Sequence, residues 1–382
     1  MSVRALVVCT PAPGHVNPLR PLIEALLAGG DQVIVAAAAD TGSLVDATGA
    51  TLWPSGHGED MWFEQLKGRI RGVPGDGLAP GRINHYFLPR LFGEIAAPDM
   101  IDDVLSCGRQ FDPDLVIFES CAFAGPLAAD LLGVPGVHHL IGPIPDHQVL
   151  ELVSDAVSPL WRSFGRNTPS YAGVYRGATI EICPPSLEQL QVPSGDQLAL
   201  RPVPPGKPAV RASERPVVYV TFGTFFNANQ DLFRVVLAGL ADEPLEVVVT
   251  VGRDQDPGAV APAPVNARVE RYISQRTLLP SCSAVVHHGG AGTTFGALAH
   301  GLPQVVIPQG ADNFVNAAML KRAGVAVVLP PEDVSPQNVL AAVRRIREEP
   351  IYATAARKIA AEIAVMPDSI EVANSLRAYG RS

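Results

Sequence analysis

His287-His-Gly-Gly-Ala-Gly-Thr-Thr-Phe-Gly-Ala-Leu-Ala-His-Gly-Leu-Pro-Gln-Val-Val-Ile-Pro-Gln-Gly-Ala-Asp-Asn-Phe-Val-Asn316 is the stretch on which the reading of this chain turns. Just before it, Ala284-Val285-Val286 reads as a short buried strand that stops at His287, after which three glycines let the backbone turn and open a helix near Thr293. Such a turn presents unpaired amides and the positive end of a helix dipole to one spot, which suits a phosphate. Gly289, Gly290, Gly292 and Thr293 are the candidate phosphate-binding residues, and His287 adds a side-chain donor. A second buried strand, residues 304–307, ends at Pro308. Beyond it Asp312 and Asn313 offer paired acceptor and donor groups suited to sugar hydroxyls. Capping of the helix that starts near Phe314 is the other use open to that pair.

The spacing fits neither a dinucleotide-binding G-x-G-x-x-G, since Phe295 stands where the last glycine belongs, nor a Walker A loop, since no Gly-Lys-Ser/Thr follows. It does resemble another family. His-His-Gly-Gly-Ala-Gly-Thr, with Pro-Gln-Gly-Ala-Asp-Asn-Phe-x-Asn-Ala downstream, is similar to the donor-binding signature of the GT-B fold, family 1 inverting glycosyltransferases of bacterial natural-product biosynthesis. The resemblance is to the branch that acts on antibiotic and polyketide aglycones. It extends to Tyr272-Ile-Ser-Gln-Arg-Thr-Leu-Leu279, where that family has its nucleobase-binding turn.

That resemblance implies an α/β fold of two facing Rossmann-like domains with parallel sheets flanked by helices, the first binding an acceptor and the second a nucleotide-sugar. It also implies the roles of the site residues. His15, in Gly14-His-Val-Asn-Pro18, matches the family's general base, and Glu119 its acidic partner, where many relatives carry Asp. On the donor side Thr224, His287 and the amides of Gly292 and Thr293 would neutralise a departing diphosphate without metal or other cofactor. Tyr272 would stack on the base while the Ile273 backbone reads its edge; a core aromatic at a strand end is the alternative for Tyr272. Relatives using UDP-sugars carry Glu eight residues after the motif's first His, where this chain has Phe295. A ribose 2′-hydroxyl buried against phenyl would lose about 1 to 3 kcal/mol, so the expected donor is a dTDP-linked deoxysugar unless Phe295 is simply core.

Composition bounds the rest. The 382 residues suit two domains, and a formal charge of -9 without a basic stripe argues against a nucleic-acid partner. The five cysteines are widely spaced, with no C-x-x-C, and read as reduced core thiols. No apolar run is long enough to span a bilayer and no basic leader precedes the first strand, so a soluble cytoplasmic protein is expected. Its expected partners are an aglycone and a nucleotide-sugar, with homodimerisation left open.

Along the chain, strand, loop and helix units recur, as a parallel sheet requires. The first unit is residues 5–9, a loop through Pro18, then an amphipathic helix to Leu27; further strands lie at residues 32–38, 51–54 and 114–119. His15 and Glu119, at or just past strand ends, should meet in one crevice. Asp112-Pro-Asp114 has the form of a metal-binding D-x-D but reads as a turn. Residues 53–89 and 141–175 read as irregular loops that shape an acceptor pocket, and the proline-rich run 184–216 as a linker. The expected domains are 1–205, 206–365 and a closing helix, 366–382, that returns to the first domain. A C-glycosyltransferase acting on an aromatic polyketide, a nucleotide-sugar epimerase and a degenerate activator subunit are the competing functions.

Overall fold

A computed structural model describes residues 2–69, 83–187, 195–202, 214–224 and 226–380. The chain forms two compact units, Met1–Cys183 with Gln189–Arg201 and Pro367–Ser382, and Pro184–Glu188 with Pro202–Met366.

In the first unit, β1 (Arg4–Val8), β2 (Gln32–Ala37), β3 (Thr51–Pro54), β4 (Leu115–Glu119), β5 (Gly136–His139), β6 (Ala178–Glu181) and β7 (Gln197–Ala199) pair in parallel in the order 3-2-1-4-5-6-7. β1 and β4 are almost wholly buried, as unbroken apolar runs covered on both faces must be. In the second unit, β8 (Val217–Thr221), β9 (Glu246–Thr250), β10 (Ala267–Glu270), β11 (Ala284–His287), β12 (Gln304–Val306) and β13 (Ala326–Val328) are also parallel, in the order 10-9-8-11-12-13. Chain direction across each sheet reverses at its first strand, between β1 and β4 and between β8 and β11. Crevices at such switch points, beyond the carboxyl ends of the strands, are where ligands bind in this architecture.

Several expectations are corrected. The first helix spans Pro13–Ala28, so His15 lies in its opening turn and not in a loop; Pro13 suits a first helical position because its missing amide would have had no helical partner. Residues 141–175 contain a long helix, His147–Ser163, capped by Asp146 on the Gln148 amide. Its buried Val149, Leu150, Val153, Val157 and Trp161 follow helical spacing that the interior Pro159 obscured. Within residues 53–89 two helices, Glu59–Arg69 and Ile83–Leu88, flank residues 70–82, which lie outside the described residues. The linker run contains β7, a three-residue edge strand too short to leave a sequence pattern; residues 188–194 and 203–213 of that run also lie outside the described residues.

The closing helix, Ser369–Tyr379, belongs to the first unit, where it packs on the helix Pro13–Ala28. Arg377 pairs with the buried Asp31 carboxylate at 2.8 Å, and the Tyr379 hydroxyl accepts from the Ala178 amide at 3.0 Å. The Arg377 guanidinium lies directly over Gly29, where any side chain would collide with it.

Candidate active site

In the first unit the end of β4 delivers Glu119 beneath the helix that carries His15. The carboxylate is fully buried and accepts four hydrogen bonds: from the Thr10 amide at 3.2 Å, the Thr10 hydroxyl at 2.8 Å, the Cys121 amide at 2.8 Å and His15 Nδ1 at 3.0 Å. Burial alone would raise this carboxyl, but the charge and hydrogen bond of His15, with the Cys121 and Thr10 donors, hold it below its ordinary value. An ionised carboxylate only accepts, so His15 Nδ1 carries the proton and Nε2 is the basic nitrogen. The His15 side chain is 17% exposed, and its ring lies 5.8 Å from that of Phe92. Phe92 comes from a wide-turn helical segment, Pro89–Ala96. A ring nitrogen of His15, a Glu119 oxygen and Cys121 Sγ also lie within 4.8 Å of one another, but with Nδ1 protonated toward Glu119 the pair is arranged for proton transfer and not for a cation. Asp112 and Asp114 instead flank Arg4, at 3.0 and 3.5 Å, with Asp112 in a left-handed turn.

In the second unit, loops after β8, β11 and β12 gather at adjacent strand ends. The helix after β11 begins at Ala291, two residues before the expected start, with Gly290 at its cap. The Thr294 amide closes the first turn on the Gly290 carbonyl, which leaves those of Ala291, Gly292 and Thr293 outside the helix's own ladder. Gly292 is exposed, with nothing within 4 Å of where a side chain would start. Thr293 is buried, and its hydroxyl accepts from Gln275 at 2.9 Å, tying the turn that follows Tyr272 to the glycine loop. Thr224 is exposed in the turn after β8, beside Gly223 with φ 77°.

The two neighbouring histidines divide their roles differently from expectation. His287, the last residue of β11, is fully buried; Nε2 donates to Gln304 Oε1 at 2.7 Å and Nδ1 accepts from the Gly289 amide at 3.1 Å. Burial and neighbouring His288 push it down to about 3. With both nitrogens engaged it shapes the loop and has no donor to turn outward. His288 instead leaves the strand between the loops: a methyl group on Gly223 or on Gly290 would stand 2.6 or 2.5 Å from its ring. Strand alternation is the signal that could have found it, since successive side chains leave opposite faces.

Tyr272 lies beyond the end of β10, 51% exposed, with the Arg253 guanidinium 3.7 Å over its ring, so it is not a core aromatic. Ile273 is half-buried against the Leu278 cluster. Phe295 is 2% exposed and among the largest buried side chains, which removes the ribose argument built on it. The next residue, Gly296, faces the nucleobase turn, within 3.5 Å of Gln275 Oε1 if given a side chain. Asp312 precedes the helix Asn313–Arg322 but makes no side-chain cap bond. Its carboxylate receives Asn313 Nδ2 at 3.2 Å and Asn316 Nδ2 at 2.8 Å. Asn313 is itself buried, its oxygen accepting from the Gln309 and Gly310 amides, both at 3.3 Å.

Comparison with known proteins gives a family and relatives. The family described as erythromycin biosynthesis protein CIII-like matches with its N-terminal domain over residues 85–197 and its C-terminal domain over residues 234–379. L-demethylnoviosyl transferase of Streptomyces niveus is 32% identical over 394 residues, covering 100% of this chain and 99% of that protein. Among solved structures, the Streptomyces sp. SF2575 glycosyltransferase SsfS6 complexed with thymidine diphosphate aligns with a TM-score of 0.75 and 27% identity, over 98% of this chain and 99% of that one. Spinosyn rhamnosyltransferase SpnG complexed with spinosyn aglycone gives 0.81 and 26%, over 98% and 100%.

Proposed function

Because the chain belongs to the erythromycin biosynthesis protein CIII-like family of antibiotic-biosynthesis glycosyltransferases with the GT-B fold, we propose that it transfers a deoxysugar, with inversion and without a metal ion, from a dTDP-linked donor to a hydroxyl of a natural-product aglycone. The observation that carries this reading is the His15–Glu119 pair, 3.0 Å apart with Nε2 left basic. Nε2 takes the acceptor hydroxyl proton as the oxygen attacks the anomeric carbon from the side opposite the diphosphate, whose bond to that carbon breaks. Glu119 stabilises the imidazolium that forms. The departing negative charge falls to the amides of Gly292 and Thr293, which supports a metal-free reading. Asp312 would hold sugar hydroxyls, and the exposed Tyr272 face would meet the base.

The dTDP assignment draws on the thymidine diphosphate complex of SsfS6. A buried ribose 2′-hydroxyl without an acceptor costs about 1 kcal/mol or more, so dTDP is expected to bind about fivefold or more tighter than UDP. Calorimetry with dTDP, UDP and dUDP separates sugar from base: UDP binding as tightly as dUDP would overturn the ribose argument. Product NMR then tests the reaction. An O-glycoside of inverted configuration is expected; a C-glycoside, or an epimerised donor formed without acceptor, contradicts it.

A further inference from the structure

Asn316 sits one turn into the helix Asn313–Arg322 and is fully buried. Its amide nitrogen donates to the Gly289 carbonyl and to Asp312 Oδ2, each at 2.8 Å. Both partners only accept, so the amide must turn its NH2 group toward them. Two protons of one nitrogen therefore hold the glycine loop after β11 and the carboxylate that follows β12. The backbones of these segments are also pressed together. Gly289 has φ 96°, and a methyl group on it would stand 2.9 Å from the Asn313 carbonyl and 3.0 Å from Val306. Ala311, next to Asp312, has φ 49°, a left-handed conformation that persists in a non-glycine residue where the surroundings over-determine it. Asn313 supplies that constraint through its bonds to the Gln309 and Gly310 amides and to Asp312.

We propose that Asn316 is a positioning residue that couples the diphosphate and sugar subsites of the donor, so that a ligand ordering one loop orders the other. This rests on the reading of the glycine loop as the diphosphate subsite and of Asp312 as the sugar subsite. Asn316 acts through Gly289 and Asp312 and touches neither ligand. A buried amide that merely filled space would affect stability alone.

The parent protein, Asn316→Ala, Asp312→Ala and the double variant are compared by calorimetry with dTDP and dTDP-glucose as probes, and by hydrogen exchange without ligand. Coupling predicts that Asp312→Ala weakens dTDP-glucose and spares dTDP, that Asn316→Ala weakens both by about tenfold, and that the two losses for dTDP-glucose are not additive. Additive losses, or an Asn316→Ala protein whose dTDP affinity matches the parent's, overturn it. Without ligand, Asn316→Ala should speed exchange in both residues 286–290 and 309–314; a change in one segment alone, or in neither, also overturns it. If the parent binds neither probe, the donor reading fails, while the exchange result still decides whether Asn316 joins the loops. Should Asn316→Ala fail to fold, Asn316→Asp preserves the volume. Its carboxyl can donate to Asp312 only when protonated, so its affinity for dTDP-glucose should recover from about pH 8 to about pH 5. Recovery independent of pH would mean that Asn316 only fills space.

Discussion

A proton taken from the acceptor has one place to go on His15, because Nδ1 already donates to Glu119 and only Nε2 has a lone pair to offer. His15→Ala should therefore lower turnover about 100-fold to 10,000-fold while nucleotide affinity, which rests on the other unit, stays unchanged. Single-turnover rates and dTDP calorimetry check the two halves of that statement; near-parental turnover removes His15 as the base. Glu119→Gln should lower turnover less, since the imidazole remains. It should also lower the melting temperature, because an amide nitrogen would face the Thr10 or Cys121 donors that now meet oxygen. At this scale the sequence read well. The pair is recognisable from its position after two strand ends, whereas the donors that hold Glu119 ionised come from residues adjacent only in space.

At the scale of elements, the glycine turn shows how one residue type serves opposite needs. Gly289 is required by geometry, with φ 96° and the Asn313 carbonyl 2.9 Å from any side chain, while Gly292 faces open space in the first turn of a helix. Gly289→Ala should therefore distort the loop, weakening dTDP by about tenfold or more and lowering the melting temperature. Gly292→Ala should fold as well or slightly better, by about 0.5 to 1 kcal/mol, because alanine favours the helix, yet its methyl group would intrude on the diphosphate position proposed above and weaken dTDP. Melting curves beside dTDP titrations distinguish them: a Gly292→Ala protein as unstable as Gly289→Ala would refute this account. The glycine pattern was legible without coordinates. Which histidine faces the loop was not, because that depends on which side of the last β11 residue meets the buried Gln304.

Over the whole molecule, buried imidazoles dominate the response to acid. Burial holds His138 at about 3 and His139 at about 4 in the first unit, and His287 at about 3 and His288 at about 4 in the second. Their ordinary value is about 6.5, so below that pH the unfolded chain takes up protons that the folded protein refuses. Stability contributed by the neutral rings is present above about pH 6.5 and is lost as pH falls toward their folded values, at up to about 1.4 kcal/mol per unit for each ring. Glu119, held below its ordinary value, adds a loss in the same direction at lower pH. The melting temperature should thus fall steadily from pH 7 to pH 5. His138 has no hydrogen-bond partner on either ring nitrogen and stacks on Phe118, so His138→Leu should flatten part of that slope. An unchanged slope would exclude His138 as a source.

Periodicity and turn chemistry are local properties, and they determined the two α/β units and the strands that lead to His15, Glu119 and the glycine turn. Short glycine-rich loops leave the backbone few alternatives, which is why the phosphate loop was readable to within two residues of its helix start. Tertiary packing alone decided the rest. Phe295 went to the core because distant parts of the fold cover its side of the helix, His287 went to Gln304 because β12 lies alongside β11, and β7 exists because an open sheet edge could pair a three-residue segment without a pattern of its own. Each of these outcomes depends on a partner distant in sequence, and the single chain carries no local mark of which partner will arrive.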